Sequence, residues 1–255
     1  MSGLWKRWVG LLVFVAVLGT AFVNLGEWQL RRLEERRTGN ETIAEHEKAG
    51  PKPYGEVFTK PITDADQWQK VTAKGTFDAA HQLQVRYRSN AGRVGSEALT
   101  PLRTTSGQIL LVSRGFLVRQ GMAEADPSAL PPPPAGEVTI VGYVRRNENG
   151  NANALTPAEG AVRLVNSESI ATWLGAPVLN GYITAITVTP GQSGDLVPIQ
   201  PPELTEGPHF WYSVQWFMFL AMAVTGLVWF IRGDILKLRK DRSTKEAGDG
   251  PGAEG

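Results

Sequence analysis

The chain of 255 residues contains no cysteine. That absence excludes disulfide frameworks, Cys-ligated zinc, thiolate copper sites and cysteine nucleophiles together, and it removes redox chemistry as a guide to compartment. Histidine is scarce, with three residues: His46, His81 and His209. Net charge is nearly missing as well, because 26 Lys and Arg stand against 25 Asp and Glu for a formal +1, so no overall field points to nucleic acid. The nucleotide loop G-x-x-x-x-G-K-[ST], the zinc-protease H-E-x-x-H and the acyl-transfer elbow G-x-S-x-G are all absent. These gaps argue against an ordinary enzyme. An anchored hydrolase built from unmarked serines and carboxylates would leave no such signature, and it stays open as a third reading.

What the chain does have is two long apolar runs. Val9–Leu25 reads VGLLVFVAVLGTAFVNL, without a charge and preceded by Trp5, Lys6, Arg7 and Trp8. At ~1.5 Å per residue this run just suffices to cross the hydrocarbon of a bilayer. A cleaved signal peptide is the rival reading, but no clear small-x-small cleavage site precedes Asn24, which favours an uncleaved anchor. Phe210–Ile231 is the second run, with Trp211, Tyr212 and Trp216 toward its first end and Trp229 toward its last, where amphipathic rings favour the headgroup level. Arg232, Lys237, Arg239, Lys240, Arg242 and Lys245 follow it, whereas no Lys or Arg lies between Arg163 and Arg232. This asymmetry predicts a cytoplasmic C-terminus and hence, with two spans, a cytoplasmic N-terminus. Arg31, Arg32, Arg36 and Arg37 fit that topology awkwardly, a conflict that a long translocated domain tolerates. The expected order is a cytoplasmic start at 1–8, a span at 9–25, an extracytoplasmic domain at 26–208, a span at 210–231 and a basic, partly disordered tail at 232–255.

Between the spans, Gly26 to about Lys48 is rich in Glu and Arg, and Trp28, Leu30 and Leu33 give a weak helical stripe that continues the first helix. Pro51, Pro53, Gly55 and Pro61 then break the pattern. Period-two segments follow at Trp68–Phe77, Leu83–Tyr87, Ile109–Phe116, Val138–Val144, Val162–Asn166 and Tyr182–Thr189. Turn signals at Ser89-Asn90-Ala91-Gly92 and Ser106-Gly107 and a stiff proline run, Pro131–Pro134, separate them. Ser167 can cap a short helix over Glu168–Leu174, ended by Gly175 and Pro177. The expected fold class is an α+β membrane protein: two transmembrane helices flanking an antiparallel β-sheet or small barrel with one or two helices.

Candidate chemistry gathers at the mouth of the second span. His46 and His81 lie in polar stretches and read as solvated or strand-surface groups. His209 follows Pro208, and helical spacing i, i+3, i+7 puts His209, Tyr212 and Trp216 on one face. A neutral imidazole there could ligate a heme iron while the rings pack on the porphyrin, or it could be an interfacial histidine bonded to water and headgroups. Gln215, about two turns into the span, needs a polar partner in hydrocarbon: the other helix, a ligand or another protein. Trp28 and Gln29, at the outer end of the first span, could meet Tyr212 and Trp216 in a pocket bridging the anchors, or Trp28 could be an interface anchor. Arg114 and Gly115, after the apolar run Ile109–Val112, suit a strand with a bend, although an arginine could also pair with a heme propionate.

Leu25-Gly26-Glu27-Trp28-Gln29-Leu30-Arg31-Arg32-Leu33 after one span and His209-Phe210-Trp211-Tyr212-Ser213-Val214-Gln215-Trp216-Phe217 opening the other resemble the Surfeit locus protein 1 family. Gly75-Thr76-Phe77, Gly95, Thr100-Pro101-Leu102, Val112-Ser113-Arg114-Gly115-Phe116 and Gly142 fall between them in the family's order. The chain departs from the usual pattern at Ser96, Ser113, Phe116 and Ser213, where members often carry an aromatic, Asn, Trp and Ala. The resemblance implies assembly of cytochrome c oxidase of the aa3 type. It also implies transient binding of heme a and its presentation to the catalytic subunit, with other oxidase or heme a synthesis components as further partners and no enzymatic turnover. By the same carry-over His209 is the candidate iron ligand, with Tyr212, Gln215, Trp216, Trp28 and Gln29 around it. A scaffold without cofactor that stabilises an early oxidase intermediate is the alternative. Copper delivery is disfavoured by the lack of soft ligands.

Overall fold

A computed structural model describes residues 2–118, 127 and 130–248. These fall into two compact units, one made of the described residues up to Gly39 together with those from Thr205 onward, the other of Asn40–Leu204.

The first unit is a pair of helices, the bulk of α1 (Ser2–Lys48) and all of α5 (His209–Gly248). Both are long and apolar enough to cross a membrane. Each runs past its apolar segment: α1 continues unbroken through the Glu- and Arg-rich stretch after Gly26, and α5 extends through the basic residues after Ile231. Of the tail at 232–255, expected to be partly disordered, the portion to Gly248 is helical, and residues 249–255 lie outside the described residues.

The less exposed residues of α1 recur at Leu4, Trp8, Leu11, Val15, Leu18, Phe22, Gly26, Gln29 and Leu33, and those of α5 at His209, Ser213, Trp216, Leu220, Ala223, Leu227, Phe230 and Asp234. Steps of three and four residues, alternating along α5 and along α1 except for the two fours Leu18, Phe22, Gly26, are the mark of a heptad seam, in which side chains of one helix fill holes in the other. Contacts pair low numbers with high ones from end to end. Trp8 Nε1 donates to Asp234 (3.0 Å), Phe22 packs on Trp216 and Phe219 (centroids 5.8 Å), and Gln29 meets His209, so the helices are antiparallel. Close approach is set by glycine: a Cβ on Gly26 would stand 2.7 Å from the Phe217 ring, and one on Gly19 3.0 Å from Leu220.

The second unit is a mixed β-domain. Its elements are β1 (Lys52–Pro53), α2 (Tyr54–Val57), β2 (Lys70–Phe77), β3 (Leu83–Asn90), β4 (Arg93–Thr104), β5 (Ile109–Val118), β6 (Glu137–Arg145), α3 (Ala152–Leu155), β7 (Ala161–Val162), α4 (Ser167–Leu174) and β8 (Val178–Thr189). Hydrogen-bonded neighbours run β1-β2-β6-β8-β5-β4-β3-β7, and β2 also pairs with β4. That extra pairing closes β2, β6, β8, β5 and β4 into a five-strand ring, so the small-barrel alternative describes the domain. The purely antiparallel expectation does not hold, because β8 lies parallel to β5, β1 to β2 and β7 to β3. Parallel neighbours need a long crossover, and the passage from β6 through α3, β7 and α4 supplies one that slots β8 between β5 and β6.

Close approach of neighbouring strands explains three glycines. Gly75 sits where β2 pairs with β6 on one side and β4 on the other, and a Cβ there would lie 2.3 Å from the Arg103 carbonyl oxygen. Gly95 meets the Leu117 carbonyl oxygen in the same way at 2.1 Å, and Gly142, beside a register shift in the β6–β8 pairing, would meet that of Thr184 at 2.7 Å. Strand β5 is apolar on consecutive positions because both faces are covered. Leu110 and Val112 join Val71, Phe77, Ile140 and Ile183 in one cluster, and Leu111 joins Leu83, Leu99, Val165 and Ile170 in another.

Two local expectations change. The helix α4 is capped by Asn166 rather than Ser167, its Oδ1 accepting from Glu168 N and Ser169 N (both 3.1 Å), while Gly175 ends it in the left-handed region as expected. Val162–Asn166 forms strand only at Ala161–Val162, since Asn166 is taken by the cap.

Candidate functional site

The two helices of the first unit bring His209 and Gln29 together, 180 residues apart in sequence. His209 Nδ1 lies 2.8 Å from Gln29 Oε1. An amide oxygen only accepts, so Nδ1 is the donor, and in the neutral ring the lone pair then falls on Nε2. That edge of the ring lies over Gly207, where a Cβ would stand 3.8 Å from Nε2; Gly207 has φ +68°, a conformation glycine adopts without strain. The heptad seam explains the meeting, because Gln29 lies one heptad beyond Phe22 and His209 one heptad before Trp216.

The other predicted residues are distributed around this pair. Trp216 is committed to the seam, packed on Phe22 and Phe219. Ser213 rather than Tyr212 occupies the inner face between His209 and Trp216, with its Oγ donating to Phe210 O (2.8 Å). Tyr212 is 48% exposed and Trp28 45% exposed at the same end of the pair, and Gln215 is exposed with no side-chain hydrogen bond among the described residues. The structure therefore joins Gln29 to His209 and does not join Trp28 to Tyr212.

Beyond His209, Arg37 Nε and Nη2 donate to the two carboxylate oxygens of Glu206 (2.8 and 3.1 Å), and Arg36 Nε donates to Thr205 O (3.1 Å). The hydrogen bond from Arg37 holds the Glu206 carboxyl below its ordinary range. Sequence reading placed these arginines but missed their task, since nothing local links positions 169 residues apart.

In the second unit Arg114 is 1% exposed and donates to Thr100 Oγ1 (3.0 Å), Gln82 Oε1 (2.5 Å), Gln192 Oε1 (3.2 Å) and the carbonyls of Pro131 and Pro132. Burial pushes the guanidinium down to about 10, so it is charged at neutral pH. With its donors engaged by the proline run and β4, Arg114 is a bracing residue of the barrel and has no donor to offer a propionate.

A second, part-buried network was not legible in the sequence. Arg88 donates to both Glu148 oxygens (2.9 and 2.7 Å) and lies 3.3 Å from Glu97, while Ser113 Oγ donates to Glu97 (2.7 Å). Desolvation works against the Arg88 charge, but Glu148 and Glu97 outweigh it and hold the guanidinium above its ordinary range. His46 Nδ1 lies 2.8 Å from Gln67 O, and His81 pairs with Asp78 (2.8 Å). Among the described residues no group of three or more His, Asp or Glu could hold a metal ion.

Two helices long and apolar enough to cross a membrane, joined in sequence by a small β-barrel, define the class as a barrel domain flanked by apolar helices. Within that class the SURF1 family matches residues 16–221, and the chain belongs to it. The chain is 28% identical over 250 residues to uncharacterized SURF1-like proteins of Mycobacterium bovis and of two strains of Mycobacterium tuberculosis, a match that covers 96% of this chain and 90% of each relative. Proteins of this family are generally cytochrome oxidase assembly factors and are not known enzymes.

Proposed function

We propose that this chain is a non-enzymatic assembly factor of aa3-type cytochrome c oxidase, held in a bacterial plasma membrane by α1 and α5 with both termini cytoplasmic. In this reading it binds heme a beside His209 and presents it to the catalytic subunit. The observation that carries it is the His209–Gln29 hydrogen bond. With Nδ1 donating to Gln29, a neutral ring presents its lone pair at Nε2, the arrangement an iron ligand requires, and a hydrogen bond from the far ring nitrogen raises the basicity of the ligating one. Gly207 leaves room at that edge, and the exposed rings of Trp28 and Tyr212 supply flat apolar surface at the same end of the helix pair. Heme a, when bound, would be cargo, with the protein supplying one axial ligand and shelter until transfer.

The scaffold alternative has its own support in Gln215. An amide exposed on a helix within hydrocarbon is costly unless another chain meets it, so α5 offers a polar contact to an oxidase subunit. The two readings separate in a strain lacking the chain and complemented with His209→Ala. Heme delivery predicts oxidase assembled with depleted heme a, at wild-type abundance of the assembly factor. Full oxidase heme content with that variant would reject the ligand role and leave the scaffold.

A further inference from the structure

The opposite end of the helix pair carries a cation-lined cleft that heme binding does not use. It has a volume of about 420 Å³, and Arg7, Trp229, Phe230, Arg232, Asp234 and Lys237 line it. Three cations face one carboxylate, and that carboxylate is already engaged by Trp8 Nε1 at 3.0 Å, so two positive charges are in excess. The Arg7 guanidinium is held 4.3 Å above the Phe230 ring. Trp229, 80% exposed, stands where the apolar run gives way to basic residues. A groove of about 440 Å³ adjoins the cleft, sharing Arg232 and Leu236 and adding Arg239 at one end and the apolar side chains of Val228, Ile231 and Ile235.

We infer that this cleft binds the phosphate headgroup of an anionic phospholipid, with an acyl chain lying along the adjoining groove. The inference rests on the reading of α1 and α5 as membrane spans. Excess positive charge recognises phosphate, and Arg7 and Arg232 can each present a planar fork of donors to its oxygens. Basic pockets between helices at the cytoplasmic membrane surface hold anionic headgroups in this manner. The apolar groove beside the charges separates a lipid from a free anion, because inorganic phosphate would gain nothing from Ile231 and Ile235. The charge excess matches a headgroup with one or two phosphates, and a neutral zwitterionic headgroup would place its own cation against the same arginines.

The test uses the full chain in nanodiscs of phosphatidylcholine alone or with phosphatidylglycerol or cardiolipin, and native mass spectrometry to count retained lipids. We expect anionic lipid to be retained over phosphatidylcholine. The double variant Arg7→Gln/Arg232→Gln should weaken that preference roughly 30-fold, and Arg7→Lys/Arg232→Lys should restore most of it. The charge-matched double variant Lys6→Gln/Lys240→Gln, outside the cleft, should change it far less. Equal losses in the two glutamine doubles would overturn the site in favour of diffuse attraction, and displacement of lipid by millimolar inorganic phosphate would identify a free-anion site instead. Insertion into neutral discs without anionic preference would sink this inference alone, whereas failure to insert in any disc would sink the membrane reading beneath it.

Discussion

At the scale of single residues, two side chains carry consequences that substitution can check, Gln29 for the proposed heme site and Arg114 for stability. Gln29 orients His209 without touching any ligand, so Gln29→Ala is expected to weaken heme a binding about 10- to 100-fold while leaving it detectable, whereas His209→Ala abolishes it. Titration of the purified variants with heme a measures both. Arg114 is the second case. Arg114→Leu removes the donors that hold Thr100, Gln82, Gln192 and the carbonyls of Pro131 and Pro132 around one buried side chain, and should lower unfolding stability by about 3 kcal/mol. A denaturation curve of the variant in detergent that shows less than about 1 kcal/mol of loss would contradict the bracing role. The sequence made His209 visible because it is one of three histidines and opens an apolar run. It hid the Arg88–Glu148 network and the Arg37–Glu206 pair, since their partners are far apart along the chain and charge in a polar stretch looks the same whether solvated or paired.

Among elements, glycine plays two roles that substitution can separate. Gly75 at the barrel closure and Gly95 in the β4–β5 pairing are pressed against backbone carbonyls, which cannot yield, so Gly75→Ala or Gly95→Ala should each cost about 2–3 kcal/mol. Gly26 faces the tip of the Phe217 ring, a part-exposed side chain free to swing away. Gly26→Ala should therefore cost under about 1 kcal/mol. Thermal melts of the three variants side by side check the contrast; equal costs would mean Gly75 and Gly95 are not under backbone contact. Most strands were legible from period-two patterning, which follows from one face of each strand lining the barrel. Strand β4 was not, because Gly95 and Pro101 interrupt its alternation and a register shift near Glu97 changes which face is buried. The helix-pair seam was equally hidden. In an apolar run nearly every residue is hydrophobic, so the heptad that selects Phe22, Gln29, Ser213 and Trp216 shows only in the contacts.

For the whole molecule, two apolar helices and the barrel were readable from length, charge and turn residues, while closure of the barrel and the parallel placement of β8 depend on pairings between distant segments. SURF1 family membership accounts for the ordered glycines and for the two helix mouths, and the four departures divide by place. Ser113 donates to Glu97 inside the Arg88 network, Phe116 and Ser96 are buried in the β-domain, and Ser213 is buried in the helix seam. None of them alters the His209–Gln29 pair. The central claim is that this pair holds heme a, and the visible absorption spectrum tests it most directly. The full chain, purified in detergent from cells that make heme a, should show a Soret band and heme a bands that vanish in His209→Ala and diminish in Gln29→Ala. Bands of undiminished strength in His209→Ala, or no bound heme in the wild type, would contradict it.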